Sequence, residues 1–332
     1  MDDVINKILQ GNALNILKTL PDKSINCCVT SPPYWNLRDY GVDGQLGLEL
    51  TPEEYVSKMV EVFREVKRVL RDDGILWLNL GDSYTSGKPR DCDKGGLRYN
   101  NSQSKQAPPG YKPKDLVGIP WMIAFALRAD GWYLRSDIIW HKPNPMPESV
   151  TDRPTKAHEY LFLLSKSRKY YYDYEAIKEP AKEWSGQAAT FARDGAVGRH
   201  IIPGQSYAQH RPNRSGNKER KLGTARGRPN SHLGGSVSWE GNTRNKRSVW
   251  TVPTRPFPEA HFATFPPKLI EPCILAGCPE GGIVLDPFMG AGTTALVATE
   301  LSRNYIGIEL NPKYIKIAEK RLSAVQIRLS MV

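Results

Sequence analysis

A chain of 332 residues, 39% of them hydrophobic, can bury a substantial core as one large or two ordinary domains. No apolar run reaches the ~18 to 20 residues of a membrane span, and the start MDDVINKILQ lacks the basic opening and apolar centre of a signal peptide. These features exclude a membrane-spanning helix and lead us to expect a cytoplasmic protein, while a net charge of +11 admits a polyanionic partner.

In chain order, INKILQ (5–10) and INCCVTS (25–31) read as strands, and the stretch 52–70 reads as a helix with apolar residues at helical spacing. GILWLNLG (74–81) is a third strand, followed by a polar stretch, 82–117. A helix is expected over 118–131, strands over 132–141 and 159–167, and then a second long polar stretch, 181–250. The C-terminal part reads as helix 265–277, strand 282–288, helix 293–302, strand 305–310 and helix 312–325. Seven strands alternating with helices predict an α/β open sheet, mostly parallel, with helices on both faces. Loops as long as the two polar stretches are rare in compact domains unless they have a function.

The segment 181–250 carries thirteen Lys and Arg against four acids and little hydrophobic periodicity. By itself it fits either a disordered basic linker or a polyanion-binding insertion, since Lys and Arg gain affinity by releasing counterions from phosphates. The five cysteines, Cys27, Cys28, Cys92, Cys273 and Cys278, are scattered and lack CxxC spacing, so they read as buried thiols and no metal site is expected.

Two motifs carry chemistry. TSPPYW, Thr30 to Trp35, ends an apolar strand in a stiff corner: two prolines remove backbone donors and force extended neighbours. Near the C-terminus, a strand ending at Asp286 leads into the turn Gly290-Ala291-Gly292, a helix opens at Thr293, and Glu309 closes the next strand. Glycines there allow a ligand close to the backbone, and an acid about 20 residues on can bind ribose hydroxyls. Gly290, Gly292 and Ala295 also satisfy the bare dinucleotide pattern, which admits a NAD enzyme. A nucleotide unit normally begins its sheet, however, and here only about forty residues follow Gly290, so the order reads as circularly permuted.

With TSPPY at 30–34, DPFMGAGTT at 286–294 and HFATFPPKLIEPCI at 261–274 in this order, the chain resembles the permuted group of DNA amino-methyltransferases that use S-adenosyl-L-methionine. HEYLFLLSKS and IGIELNPKY also look like strands of that family, and the resemblance spans nearly all of the chain outside 83–115 and 181–245. It implies a Rossmann-like methyltransferase fold: a seven-stranded sheet with 1–180 its catalytic part, 181–250 an inserted target-recognition region and 251–332 its cofactor-binding part. It also implies duplex DNA as partner and a bacterial, archaeal or phage setting, and it admits a cognate restriction endonuclease acting on the same site without deciding whether there is one. Recognised sequence and oligomeric state stay open.

By the same resemblance, the Ser31 hydroxyl and Pro32 carbonyl accept from the hydrogens of the target amine, held by the proline-locked backbone. Pro33 supports the corner, and Tyr34 stacks on a base flipped from the duplex. Trp35 either walls that pocket or packs in the core. Phe288, Gly290 and Gly292 are expected along the cofactor, with Asp286 near its methionine amine, Thr293 on its carboxylate and Glu309 on its ribose. Asn12 stands where the family often has an acid contacting adenine. Serine first in the tetrapeptide is similar to the cytosine-N4 members; the alternatives are N6-adenine methylation with the same fold, and an RNA or protein acceptor. A ring-carbon mechanism would need a cysteine, and Pro272-Cys273 falls in a helix. Phosphate contacts are expected from Arg211, Arg214, Lys218, Arg220, Lys221, Arg226, Arg228, Arg244, Lys246 and Arg247 as a group. His141 and His158 read as structural, and Asp82 as a turn cap.

Overall fold

The structure, a computed structural model, describes residues 1–37, 39, 41–85, 108–181, 243–254 and 265–329. The strands are β1 (Lys7–Gln10), β2 (Ile25–Thr30), β3 (Leu70–Leu80), β4 (Tyr133–His141), β5 (His158–Ser165), β6 (Glu179–Pro180), β7 (Thr243–Arg244), β8 (Val249–Thr251), β9 (Ile283–Asp286) and β10 (Asn304–Glu309). The helices are α1 (Ala13–Leu17), α2 (Pro52–Val69), α3 (Ile119–Ala129), α4 (Pro267–Gly277), α5 (Thr293–Glu300) and α6 (Pro312–Leu329).

Local chemistry explains the main elements. In α2, Thr51 caps the N-terminus by accepting from Glu54 N–H, Glu53 and Glu54 lie in the first turn, and Lys67 and Arg68 lie in the last, matching the helix dipole. Its buried stripe runs through Tyr55, Met59, Val62, Phe63, Val66 and Val69. Apolar residues on both faces of β2, β3 and β5 send alternate side chains to opposite layers. Leu76, Leu78, Phe162 and Leu164 join the core with α2 and α3, whereas Ile75, Trp77, Leu161 and Leu163 join the one with α4 and α5.

The sheet runs β1-β10-β9-β2-β3-β5-β4-β8. Strands β1 to β3 in this order are parallel; β5 is antiparallel to both its neighbours, and β8 runs parallel to β4. The sheet therefore has eight strands among the described residues, not the seven expected. Strand β8 was hidden because three residues inside a polar stretch carry too short an alternation to register. Its Trp250 is buried against Trp77, with ring centroids 6.2 Å apart. The five-residue α1, capped by Asn12, was also too short to read.

The chain divides into two compact units, Met1–Lys178 with Asn245–Val332, and Glu179–Arg244. Asn245 to Trp250, expected in the basic insertion, thus belong to the sheet unit. In the smaller unit the described residues form the short antiparallel ladder β6–β7, with Arg244 paired to Glu179 at 2.9 Å. Within the sheet, β9 connects onward to β10 on one side while its other neighbour, β2, leads to β3 on the opposite side. The C-terminal ends of β2 and β9 consequently flank a crevice where connections diverge, the place where open α/β sheets bind ligands.

Candidate active site

A cavity of about 380 Å³ opens at this crevice. Ser31, Pro32, Pro33 and Tyr34 line one part of it; Phe288, Gly290, Thr293 and Glu309 line another, with Asn12 beside them. Two motifs more than 250 residues apart therefore share one cavity.

Each wall has a local cause. The SPPY corner is clamped from α2, where the buried Tyr55 hydroxyl donates to the Pro33 carbonyl at 2.6 Å. Thr30 joins the two motifs directly, donating from its hydroxyl to Asp286 Oδ1 at 2.6 Å. Asp286 Oδ2 accepts from the Thr294 hydroxyl at 2.6 Å, and Oδ1 also accepts from Phe288 N–H at 3.0 Å. Burial pushes the Asp286 carboxyl up to about 6, with these three hydrogen bonds opposing the rise.

Gly290 has φ +54°, and a Cβ there would meet nothing nearer than the Phe288 carbonyl at 4.0 Å, so backbone and cavity meet there without a side chain between them. Its N–H donates to Glu309 Oε2 at 2.8 Å, and Asn311 N–H donates to Oε1 at 2.7 Å. Burial raises the Glu309 carboxyl above its usual range, and those backbone donors partly offset it.

Two expected cofactor residues stand behind this wall. Asp286, 1% exposed and held by Thr30 of β2, Thr294 of α5 and the Phe288 N–H, is a brace beneath the cavity. Gly292 has φ +79°, and a Cβ there would lie 2.6 Å from that of Ala318, so this glycine serves the contact of α5 with α6. Thr293 is buried and its hydroxyl accepts from Arg321 at 3.2 Å. Asn12 lines the cavity, but its Oδ1 accepts from Asn15 N–H at 3.3 Å as the cap of α1.

Other residues resolve more simply. Trp35 packs in the core, its indole N–H donating to the Glu49 carbonyl at 2.9 Å. Asp82 caps α3 by accepting from the N–H groups of Gly118 and Ile119 at 2.9 and 3.1 Å. His141 Nδ1 meets the Thr251 hydroxyl at 3.2 Å, and His158 packs edge-on against Tyr160. Cys273 is buried within α4, where burial pushes its thiol well up. Lys246 lies 5.0 Å over the Trp250 ring, and the Arg247 carbonyl accepts from the Trp250 indole N–H at 2.6 Å. Arg211, Arg214, Lys218, Arg220, Lys221, Arg226 and Arg228 lie outside the described residues.

Sequence reasoning missed a polar cluster at the SPPY end of the cavity. Glu159 Oε2 accepts from the Tyr34 hydroxyl at 2.7 Å, Glu159 Oε1 pairs with Lys142, and Asn79 Oδ1 lies 3.2 Å from the same hydroxyl. All three residues line the cavity. The available signal was a carboxylate at the head of an apolar strand, HEYLFLL, where a solvated strand end reads the same way.

The DNA methylase family model, N6_N4_Mtase, matches residues 25–320. The chain belongs to this DNA methylase family. It is 46% identical over 317 residues to the Type II methyltransferase M.Cfr9I of Citrobacter freundii, covering 95% of this chain and 87% of that protein. Among solved structures, the cytosine-N4-specific PvuII DNA methyltransferase superposes with a TM-score of 0.59 at 18% identity, covering 95% of this chain and 85% of that one. M1.HpyAVI in complex with SAM gives a TM-score of 0.50 at 18% identity, covering 95% and 98%. Both likenesses establish a Rossmann-like methyltransferase fold.

As a member of the family the chain is a DNA amino-methyltransferase, and its cofactor is S-adenosyl-L-methionine. The cavity fits that group: Gly290 presents bare backbone to it, and a half-buried carboxylate at Glu309 offers acceptors for hydroxyl donors.

Proposed function

We propose that the protein methylates the exocyclic N4 amine of cytosine in duplex DNA, as the modification partner of a Type II restriction endonuclease acting on the same site, and that it belongs to the permuted SPPY subfamily. The observation that carries this reading is the single cavity lined by both the Ser31–Tyr34 corner and the Gly290 turn with Glu309. Serine at position 31 favours cytosine over adenine by resemblance to the N4 members. Adenine N6 remains the second reading, since both are exocyclic amines.

S-adenosyl-L-methionine supplies an activated methyl on a sulfonium, so the protein needs neither a metal nor a covalent nucleophile of its own. Its residues bind and align. Glu309 holds the ribose hydroxyls, Gly290 and Phe288 flank the cofactor, Thr293 at the start of α5 donates to its carboxylate, and Asn12 faces its adenine. An exocyclic amine is a poor nucleophile because its lone pair is delocalised into the ring. Ser31 Oγ and the Pro32 carbonyl accept from its hydrogens and favour the tetrahedral nitrogen that attacks; their fixed position is what gives them effect. Tyr34 stacks on the flipped base, and Pro33 stiffens the corner. The Lys and Arg residues between 211 and 247 hold the phosphates.

Methyl-labelled cofactor offered with duplex DNA, single-stranded DNA, RNA and protein tests the acceptor class. We expect label in duplex DNA first. Label only in RNA or protein would overturn the reading.

A further inference from the structure

The cluster around Glu159 bears directly on how the proposed chemistry at Ser31 works. Strand β5 runs antiparallel to β3 and β4, so its N-terminal end, with Glu159, reaches the sheet edge where β2 ends in the SPPY corner. The side chains of Glu159 and Lys142 are 15% and 17% exposed, which removes this pair from the weak class of surface ion pairs. Lys142 also lies 4.4 Å over the Trp140 ring. Removing two charges from water is expensive, and anchoring one tyrosine could be done by a neutral acceptor.

The hydrogen-bond chain gives the carboxylate a further use. A serine hydroxyl has one proton and two lone pairs. The target amine presents hydrogens, so Ser31 helps only when its own proton points away from the cavity. The Tyr34 oxygen, 3.4 Å from Ser31 Oγ, can take that proton provided its own is committed elsewhere. An ionised carboxylate is acceptor-only, and at 2.7 Å Glu159 commits it. Hydrogen-bond chains reinforce one another along their length, and such contacts tighten when substrate enters.

We propose that Glu159 is a positioning residue for methyl transfer: it fixes the direction of the chain Ser31 to Tyr34 to Glu159, so that Ser31 presents lone pairs to the target amine. The inference rests on the proposed methylation of an exocyclic amine and holds for cytosine and adenine alike.

The test compares single-turnover methylation of duplex DNA with the equilibrium Kd for cofactor and for duplex, in the wild type, Glu159→Gln, Glu159→Asp, Tyr34→Phe and the double variant Tyr34→Phe/Glu159→Gln. Gln keeps an acceptor and the size but loses the charge. We expect Glu159→Gln to slow transfer at least tenfold with both Kd values within twofold, and Asp to recover part of the rate. Tyr34→Phe should lose a similar factor, and the double variant should be no slower than the slower single one, because the residues act in series. A Glu159→Gln enzyme as fast as wild type, a loss that multiplies with that of Tyr34→Phe, or a loss that tracks weakened cofactor binding would each overturn the proposal. Should Glu159→Gln fail to fold, Tyr34→Phe carries the test, and an undiminished rate overturns it. Absence of methyl transfer by the wild type itself would instead overturn the underlying functional reading.

Discussion

At the scale of single residues, the site separates groups that face the cavity from groups that brace it. Ser31 faces it, so Ser31→Ala should lower turnover about a hundredfold while cofactor affinity stays within twofold; equal losses in both would make Ser31 structural. Asp286 braces it, and its carboxyl has a measurable signature. Its folded-state pKa, about 6, lies above the ordinary 3.8, so the folded protein holds a proton that the unfolded chain has lost between these values. Its contribution is therefore greatest at low pH and is lost as pH rises through about 6, a change of about 3 kcal/mol by linkage. Denaturant unfolding at pH 4 and 8 should show this change in the wild type and a smaller one in Asp286→Asn; an identical pH dependence in both would contradict the assignment. Ser31, Tyr34, Gly290 and Glu309 were legible because each belongs to a contiguous motif. Glu159, Lys142 and Asn79 were not, because they meet Tyr34 only through the pairing of β3, β4 and β5.

Elements place these residues through close approaches that only small side chains permit. At the end of β3, a Cβ on Gly81 would lie 2.5 Å from Tyr34 Cε2. Gly81→Ala should displace the Tyr34 ring and reduce turnover more than stability, read by comparing single-turnover rate with the denaturant midpoint; unchanged turnover would detach the ring's position from catalysis. The two glycines of the cofactor turn should behave oppositely. Gly292→Ala combines a left-handed backbone with overlap onto Ala318, a loss of about 2 to 4 kcal/mol in stability. Gly290→Ala carries the left-handed backbone cost but only an ordinary contact, 4.0 Å to the Phe288 carbonyl, so it should cost less stability than Gly292→Ala and weaken cofactor binding instead. Strands and helices with strong periodicity, such as α2 and β3, were readable within a few residues, whereas α1 and β8 fell below the length at which a period can be seen.

For the molecule as a whole, sequence order and spatial order differ in an informative way. The first strand, β1, pairs with the last, β10, and the late β9 sits beside the early β2, which brings the two motifs together. Motif order and the α/β alternation made the sheet legible, but the antiparallel course of β5 depends on connections that no local pattern encodes. The basic stretch should act through phosphates: Arg226→Ala with Arg228→Ala should lower the salt slope of duplex binding by about 1.8 without altering cofactor affinity, and an unchanged slope would place the DNA elsewhere. The shared cavity is expected to methylate the N4 amine of cytosine. The most direct test is to incubate the protein with unmethylated duplex DNA and S-adenosyl-L-methionine, digest the DNA to nucleosides and identify the product by mass spectrometry. N4-methylcytosine is the predicted product, and N6-methyladenine would contradict the reading of Ser31 while leaving the fold and the cavity's chemistry in place.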